Sequence, residues 1–404
     1  MNFKKRLSFL DLSAYGIGII IGAGIYVLIS PGASLVDGNL WLSFLLATLV
    51  VLLTGFSYAY LSTKYSFEAA EYFLVKKVTG NKLFSFLVAW MVVTAQIVGI
   101  SAVSLGFGYY LKTFIGLNAL VSAILLIFFV GLVDLVGVDE ISRLNIILTS
   151  IAVLGLIVVI FSAFFHKIDE PKIGFSFTNM LKGTALVFFS FLGFESIVNL
   201  GAESKNAKRN IPLALIVSII FSGVLYTLVA YSSVKVAGWR MLSTSSAPLA
   251  LVSLIAFGKI GFWIVELAAL FSTASTVLIL SLVSSRLLWG LSIDGFLPKQ
   301  FKKLKNNTPL VSVLFVVILS SFLLILIRKI SSIAEIANFN MLLVYTVFNF
   351  LLFYHSKKPG IKILGIIAMA ATFSLFFFLE KISFVVGLSN IVIGMIIYKL
   401  SLRK

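Results

Sequence analysis

Residues 16–32 read GIGIIIGAGIYVLISPG. The stretch lies inside the first long apolar run, where good helix formers are expected. Instead Gly22 and Gly24 flank Ala23 near its middle. Each glycine costs a helix roughly 1 kcal/mol relative to alanine. In hydrocarbon, backbone groups freed by a break are tolerated only where protein, a cavity or a ligand meets them. The Gly22-Ala23-Gly24 cluster therefore predicts a broken membrane helix whose exposed N–H and C=O groups bind something. Close helix packing by small residues is the other reading, and it is the better one for Gly16 and Gly18.

The composition around this stretch supports a membrane setting. Of 404 residues, 60% are hydrophobic and 12% charged, whereas soluble domains are about 25% charged. Cysteine is absent, which excludes a disulfide framework, a thiolate nucleophile and a cysteine metal site. The two histidines, His166 and His355, fall at span edges and are too few for a haem or zinc cluster. The net charge of +17 is explained by loops facing anionic lipid rather than by nucleic acid. The opening MNFKKR runs straight into an apolar segment with no small-residue cleavage site, so no removable signal peptide is expected.

A span needs about 20 apolar residues. Candidates lie near 10–35, 40–62, 83–111, 117–136, 144–165, 181–202, 212–234, 261–285, 309–327, 332–354, 361–379 and 382–400. The piece at 248–257 is too short to cross and is expected as a surface or re-entrant segment joined to the eighth span. The result is an all-α polytopic membrane protein of twelve spans, a single transmembrane domain over 1–404. Counted on this topology, 22 of the 32 Lys and Arg residues lie on the N-terminal side. That excess places both termini in the cytoplasm of a protein in the plasma membrane. Residues 64–82 read as an amphipathic surface helix, and the basic loop 286–308 as an anchor on anionic lipid. All seven prolines are expected at span ends or in loops, so breaks within spans must come from glycine and polar contacts.

The sixth span carries a second interruption, FFSFLGFES at 188–196. Two interrupted spans at matching positions of two halves mark the site of an inverted-repeat transporter. No residue-level repeat is evident, so the symmetry rests on the breaks. A half-helix that starts inside the membrane offers N–H groups to a carboxylate; here these are Ala23, Gly24 and Ile25, with Gly22 at the break. A half-helix that ends there offers carbonyls to an ammonium or cation; here these are Ile20, Ile21, Phe189 and Leu192, before the break at Gly193. Together they suit an α-amino acid zwitterion. Gln96 and Thr94 of the third span are candidate pocket residues, and Phe188, Phe189, Phe191 and Phe194 candidate gates.

Glu195 is an intramembrane carboxylate and so a functional candidate. It could accept a coupling proton or cancel N–H groups freed at the break. Glu266 lies near the outer end of the eighth span, within reach of water. Ser272, Thr273, Ser275 and Thr276 of that span could hold sodium together with the carbonyls of Gly18 and Ile21, or simply bond their own helix. No cofactor is called for.

These residues resemble a known family. GIGIIIGAGIYV resembles the first-span signature of the amino acid–polyamine–organocation superfamily, and FFSFLGFESIVNLGAESKNAKRNIPLAL its sixth span and following loop. SRLLWGLSIDGFLPKQFKKLKNNTP is similar to its loop after the eighth span, and SFEAAEYFLVKKVTGN more loosely to that after the second. The resemblance runs from about residue 7 to 320. It implies a five-plus-five inverted repeat, with 1–165 and 181–354 as the repeats, discontinuous helices 1 and 6, and two further spans at 361–400. It implies substrate carboxylate at Ala23 and Gly24, and ammonium at the carbonyls of Ile20, Phe189 and Leu192. Glu195 falls at an acidic position that some members use in gating or proton linkage. Many proton-coupled members have a lysine in the fifth span, where this chain has Ala152. Coupling must then use Glu195 or sodium, or be absent, as in an exchanger or uniporter.

A secondary transporter of neutral or apolar amino acids is the expected function, since one acid and no base sit near the breaks. Channels need pore rings or a filter loop, and neither is found. An enzyme lacks the clustered acids, histidines or cysteine it would need.

Overall fold

An apolar chain in hydrocarbon must satisfy its own peptide groups, and helices do this within one segment. The computed structural model describes residues 7–64, 70–135, 138–166, 168, 174–305 and 308–402. Lys4, Lys5, Arg6, Lys167, Pro171, Arg403 and Lys404, used above for orientation or breaks, lie outside the described residues, as does the side chain of Arg143.

Among the described residues the chain is helical throughout. The first half comprises α1 (Phe9–Ile20), α2 (Gly24–Val36), α3 (Leu40–Lys64), α4 (Ala70–Thr79), α5 (Lys82–Ile115), α6 (Ala119–Asp134) and α7 (Val138–Phe165). The second comprises α8 (Phe177–Val187), α9 (Ala207–Thr244), α10 (Pro248–Ile293), α11 (Leu310–Ile327), α12 (Ile330–His355), α13 (Pro359–Leu375) and α14 (Lys381–Ser401). Ten helical stretches are long and apolar enough to cross a membrane, and α1 and α6 are shorter apolar helices.

Local chemistry sets several ends. Ser8 and Asp11 form a reciprocal capping box at the start of α1, filling orphan N–H groups there. Asn118 accepts from the amides of Leu120 and Val121 to start α6. Gly116, at φ 77°, ends α5 in the left-handed conformation. Gly258, at φ 63°, splits α10 into 248–257 and 259–293, the division expected from the short apolar piece. The prolines depart from expectation in two places. Pro31 lies inside α2 and Pro212 inside α9, each between one and two turns from a helix end, where few ladder bonds are lost.

The two faces of α6 show what surrounds the protein. Val121, Leu125, Phe128 and Leu132 are exposed at three- and four-residue spacing, while Ser122, Leu126 and Val130 are buried. A helix whose outward stripe is more bulky and apolar than its inward one is solvated by lipid. Inside the bundle the glue is polar. Asn349 of α12 accepts from Ser57 at 2.6 Å and donates to Thr54 at 3.1 Å and to Thr372 of α13 at 3.4 Å. Asn390 of α14 donates to Thr94 of α5 at 2.7 Å and to Asn340 of α12 at 3.0 Å. Interhelical hydrogen bonds of this kind hold helices together where lipid supplies no hydrophobic drive.

The expected surface helix is α4. It packs on α5, burying Tyr72, Leu74 and Val75 while Phe73 stays exposed. Glu71, at its start, is also buried, and burial together with the charge of Glu195 pushes its carboxyl up to about 8. A carboxyl raised on folding favours the native state below its unfolded pKa and loses that contribution as pH rises through the folded value. Purified protein should therefore lose stability between pH 5 and 9, and Glu71→Gln should shrink that fall in melting temperature by about 5 °C. An unchanged fall in thermal melts at the two pH values would refute it.

Candidate functional site

The helix ladder stops twice in the same region. The last α1 bond is Ile21 N–H to the Ile17 carbonyl at 2.7 Å, and α2 starts three residues later at Gly24. On the other side α8 ends at Val187, tightens to a 3₁₀ turn over Phe188–Phe191, and reaches Gly193 at φ 108°. A second 3₁₀ segment, Phe194–Ala202, follows. Only glycine takes that φ without strain. Gly24 serves closeness instead: a Cβ there would lie 2.4 Å from the Cα of Ser190. The two interruptions thus touch, backbone to backbone.

Several of the peptide groups freed there are met by side chains. Ala23 N–H donates to Thr276 Oγ1 of α10 at 2.9 Å, and that hydroxyl donates to the Ser272 carbonyl at 2.9 Å. The Tyr226 hydroxyl of α9 donates to the Ile20 carbonyl, and also lies 3.2 Å from the Ser190 carbonyl. Asn338 of α12 donates to the carbonyls of Ala185 at 2.7 Å and Leu186 at 3.1 Å. Glu195 reaches back to accept from Gly193 N–H at 3.1 Å, and its Oε2 also accepts from the Tyr345 hydroxyl at 2.7 Å. An aromatic cluster surrounds that pair. Phe194 and Tyr345 are 5.1 Å apart by ring centroid, and Tyr58 stacks on Phe348 at 4.2 Å.

A cavity of about 60 Å³ lies between the interruptions. Of the residues singled out in sequence, Ile20, Gly22, Ala23 and Gly24 line it from α1 and α2. Phe189, Leu192, Gly193 and Glu195 line it from the second interruption, with Gln96 from α5 and Thr276 from α10. The Gln96 Oε1 atom is buried with no hydrogen-bond partner. Two kinds of backbone group remain open. Ala23 brings no capping side chain of its own to the start of α2, and Thr276 takes only the Ala23 amide, so the amide of Gly24 is left for the cavity. The Phe189 carbonyl takes one bond, from Leu192 N–H at 3.2 Å, leaving one lone pair. The Ile20 carbonyl has both lone pairs engaged, by Gly22 N–H at 2.7 Å and by Tyr226.

Other expected residues lie elsewhere. Ile21, Ile25 and Phe194 are buried but are not among the lining residues. Thr94 does not reach the cavity either: it bonds the Trp90 carbonyl and accepts from Asn390. Ala152 meets α2 rather than the break, its carbonyl accepting from Tyr26 at 2.6 Å. The α7 side chain opposite Gly18 is Thr149. Ser272 and Ser275 are buried outside the lining. Glu266 does not reach water. It is fully buried and accepts from Thr113 of α5. Tyr226, Asn338 and Tyr345 were not expected, although polar residues deep in apolar spans are themselves a signal. Among the described residues no group of His, Cys, Asp and Glu could hold a metal ion.

Fold and cavity together define a multi-span helical membrane protein with peptide groups bared around an internal site. The chain belongs to the amino acid permease family, whose model matches residues 7–397. It is 25% identical over 441 residues to the branched-chain amino acid permease BcaP of Bacillus subtilis (strain 168), covering 100% of this chain and 94% of that protein. It is 25% identical over 439 residues to the methylthioribose transporter of the same organism, with the same coverages. It is 26% identical to the vacuolar cationic amino acid transporter 4 of Arabidopsis thaliana, covering 85% of this chain and 62% of that one.

Proposed function

We propose that this chain is a secondary transporter of neutral, apolar amino acids that works by alternating access. One observation carries the reading: two helix interruptions meet at one cavity, with amide donors on one and a carbonyl acceptor on the other. The start of α2 suits the substrate carboxylate, through the Gly24 amide and the positive end of the helix dipole. The Phe189 and Leu192 carbonyls suit the ammonium. The single lining carboxylate, Glu195, is already spent on Gly193 and Tyr345, which argues against a second positive charge on the substrate. The branched-chain permease among the relatives supports an apolar side chain, and the cationic transporters supply the competing substrate class.

In this reading α1 with α2 makes one span, α8 with the 3₁₀ segments another, and the total is twelve. Residues 1–165 and 181–354 form the two repeats of a single domain and 361–400 two additional helices. Both termini face the cytoplasm of a plasma-membrane protein. Coupling runs through Glu195, or through sodium held by Gly18, Ile21, Ser275 and Thr276. An exchanger or uniporter with neither is the remaining form.

The test is uptake into proteoliposomes from a panel of labelled amino acids, with and without sodium and across pH. Leucine or phenylalanine should be taken up saturably and arginine should not compete. Arginine competing where leucine does not would reverse the substrate assignment, and saturable uptake of nothing in the panel would remove the transporter reading. For proton coupling through Glu195, Glu195→Gln should flatten the pH dependence of uptake. Uptake that keeps the wild-type pH profile would return Glu195 to capping the break.

A further inference from the structure

A second cavity, of about 300 Å³, shares no lining residue with the first. Its walls include Trp90, Leu288, Phe301, Phe315, Ile397 and Leu400, with the Ser401 hydroxyl and the Trp90 indole N–H, which donates to Asn390, as polar groups. It sits where α5 and α11 begin and α10 and α14 end. Trp90 is eight residues into α5 and Phe315 five into α11, so at 1.5 Å per residue the walls reach about 12 Å and about 8 Å from the helix ends. The hydrocarbon of one leaflet is about 15 Å deep. On the twelve-span topology proposed above, that is acyl-chain depth in the leaflet on the N-terminal side.

Well-packed interiors hold few voids larger than a water molecule, and an empty apolar one is costly. This hollow opens at the edge of the protein, and its walls suit an apolar occupant. Its rim states what that occupant carries. Lys299, Lys302 and Lys303 flank the lining residues Pro298 and Phe301, and Lys399 lies between Ile397 and Leu400, all four exposed. The carboxylate in the same loop, Asp294, is 3.7 Å from Lys76. The segments that form the wall thus carry four exposed lysines, of which Lys302 also donates to the Ile293 carbonyl at 3.5 Å.

We propose that this cavity holds one acyl chain of an anionic glycerophospholipid whose phosphate is paired by Lys299, Lys302, Lys303 and Lys399. The site is independent of the central cavity and of any substrate assigned to it. Trp90 reports on it directly, because bromine on a lipid chain quenches an indole it touches.

The experiment titrates detergent-purified protein with dibromo-acyl phosphatidylglycerol and, separately, dibromo-acyl phosphatidylcholine, reading tryptophan fluorescence. Trp90→Phe isolates the Trp90 component from the other four tryptophans. The expected result is quenching of that component at about tenfold lower mole fraction of the anionic lipid. In Lys299→Gln/Lys302→Gln/Lys303→Gln the two lipids should become equivalent while the apparent melting temperature stays near wild type. Equal quenching by both lipids in the wild type, no quenching of the Trp90 component, or displacement by inorganic phosphate alone would each overturn the proposal. Quenching lost in favour of dimerisation on light scattering would assign the cavity to a second copy of the chain and also overturn it.

Discussion

Gly24→Ala should lower uptake about a hundredfold. The new methyl would lie 2.4 Å from the Cα of Ser190, and 2.8 Å from both its Cβ and its Oγ. A flexible side-chain end could swing away, but a backbone atom in a 3₁₀ turn cannot. Overpacking typically costs about 1–3 kcal/mol, and each 1.4 kcal/mol is about a factor of ten. The strain falls on the contact that holds the two interruptions together, so it should push the start of α2 off the cavity. Gly32→Ala is the control on the same helix. Its methyl would meet the Cδ1 of Leu40 at 2.6 Å, with the next atom at 3.7 Å, so one side-chain rotation relieves it. Initial rates in proteoliposomes, with circular dichroism to confirm helix content, decide the matter. Equal rates for Gly24→Ala and wild type would mean the two interruptions need not touch.

Tyr226→Phe should lower the maximal uptake rate about tenfold. The hydroxyl serves one carbonyl from each interruption, Ile20 and Ser190. Removing it leaves buried acceptors short of a donor, which costs about 1–3 kcal/mol. It also frees one lone pair on Ile20, which an ammonium could take. The rate should therefore fall while the substrate concentration at half-maximal uptake stays level or drops. The ring is kept and still packs on Phe44 at 5.9 Å and Phe191 at 5.2 Å, so loss of folding is not the expected route. A wild-type rate would show that the hydroxyl does not tie the interruptions, and a rise in half-saturation alone would point to direct substrate contact instead.

Both glycine positions were readable in the chain because each sits beside a second signal, Gly24 paired with Gly22 around Ala23 and Gly193 two residues before an intramembrane acid. Gly193 at φ 108° and Gly24 against Ser190 each answer a local backbone demand that sequence expresses. The partners were not readable. Many serines, threonines and tyrosines dot these helices, and helical period says only which of them share a face. Which ones face a break depends on how α9, α10 and α12 are rotated in the bundle, and that is set by packing far along the chain. Thr276 was named and does reach Ala23. Thr94 was named on equal grounds and turns instead to Asn390. Tyr226 carries no such mark, because a tyrosine in a chain with 14% aromatic residues looks ordinary. Glu266 misled for a related reason: nearness to a span end suggested water, but Thr113 covers it.

The polar junction at Asn349 bears on how the molecule could be shortened. Thr372 of α13 gives Asn349 one of its partners and also lies 3.0 Å from Thr346 of α12. Cutting the chain before α13 would take one partner from each, leaving Asn349 with Ser57 and Thr54 and Thr346 with the Leu342 carbonyl. The last helix pair therefore acts as a stave in the barrel rather than a trailing handle, and a shortened version would hold this junction by Ser57 and Thr54 alone.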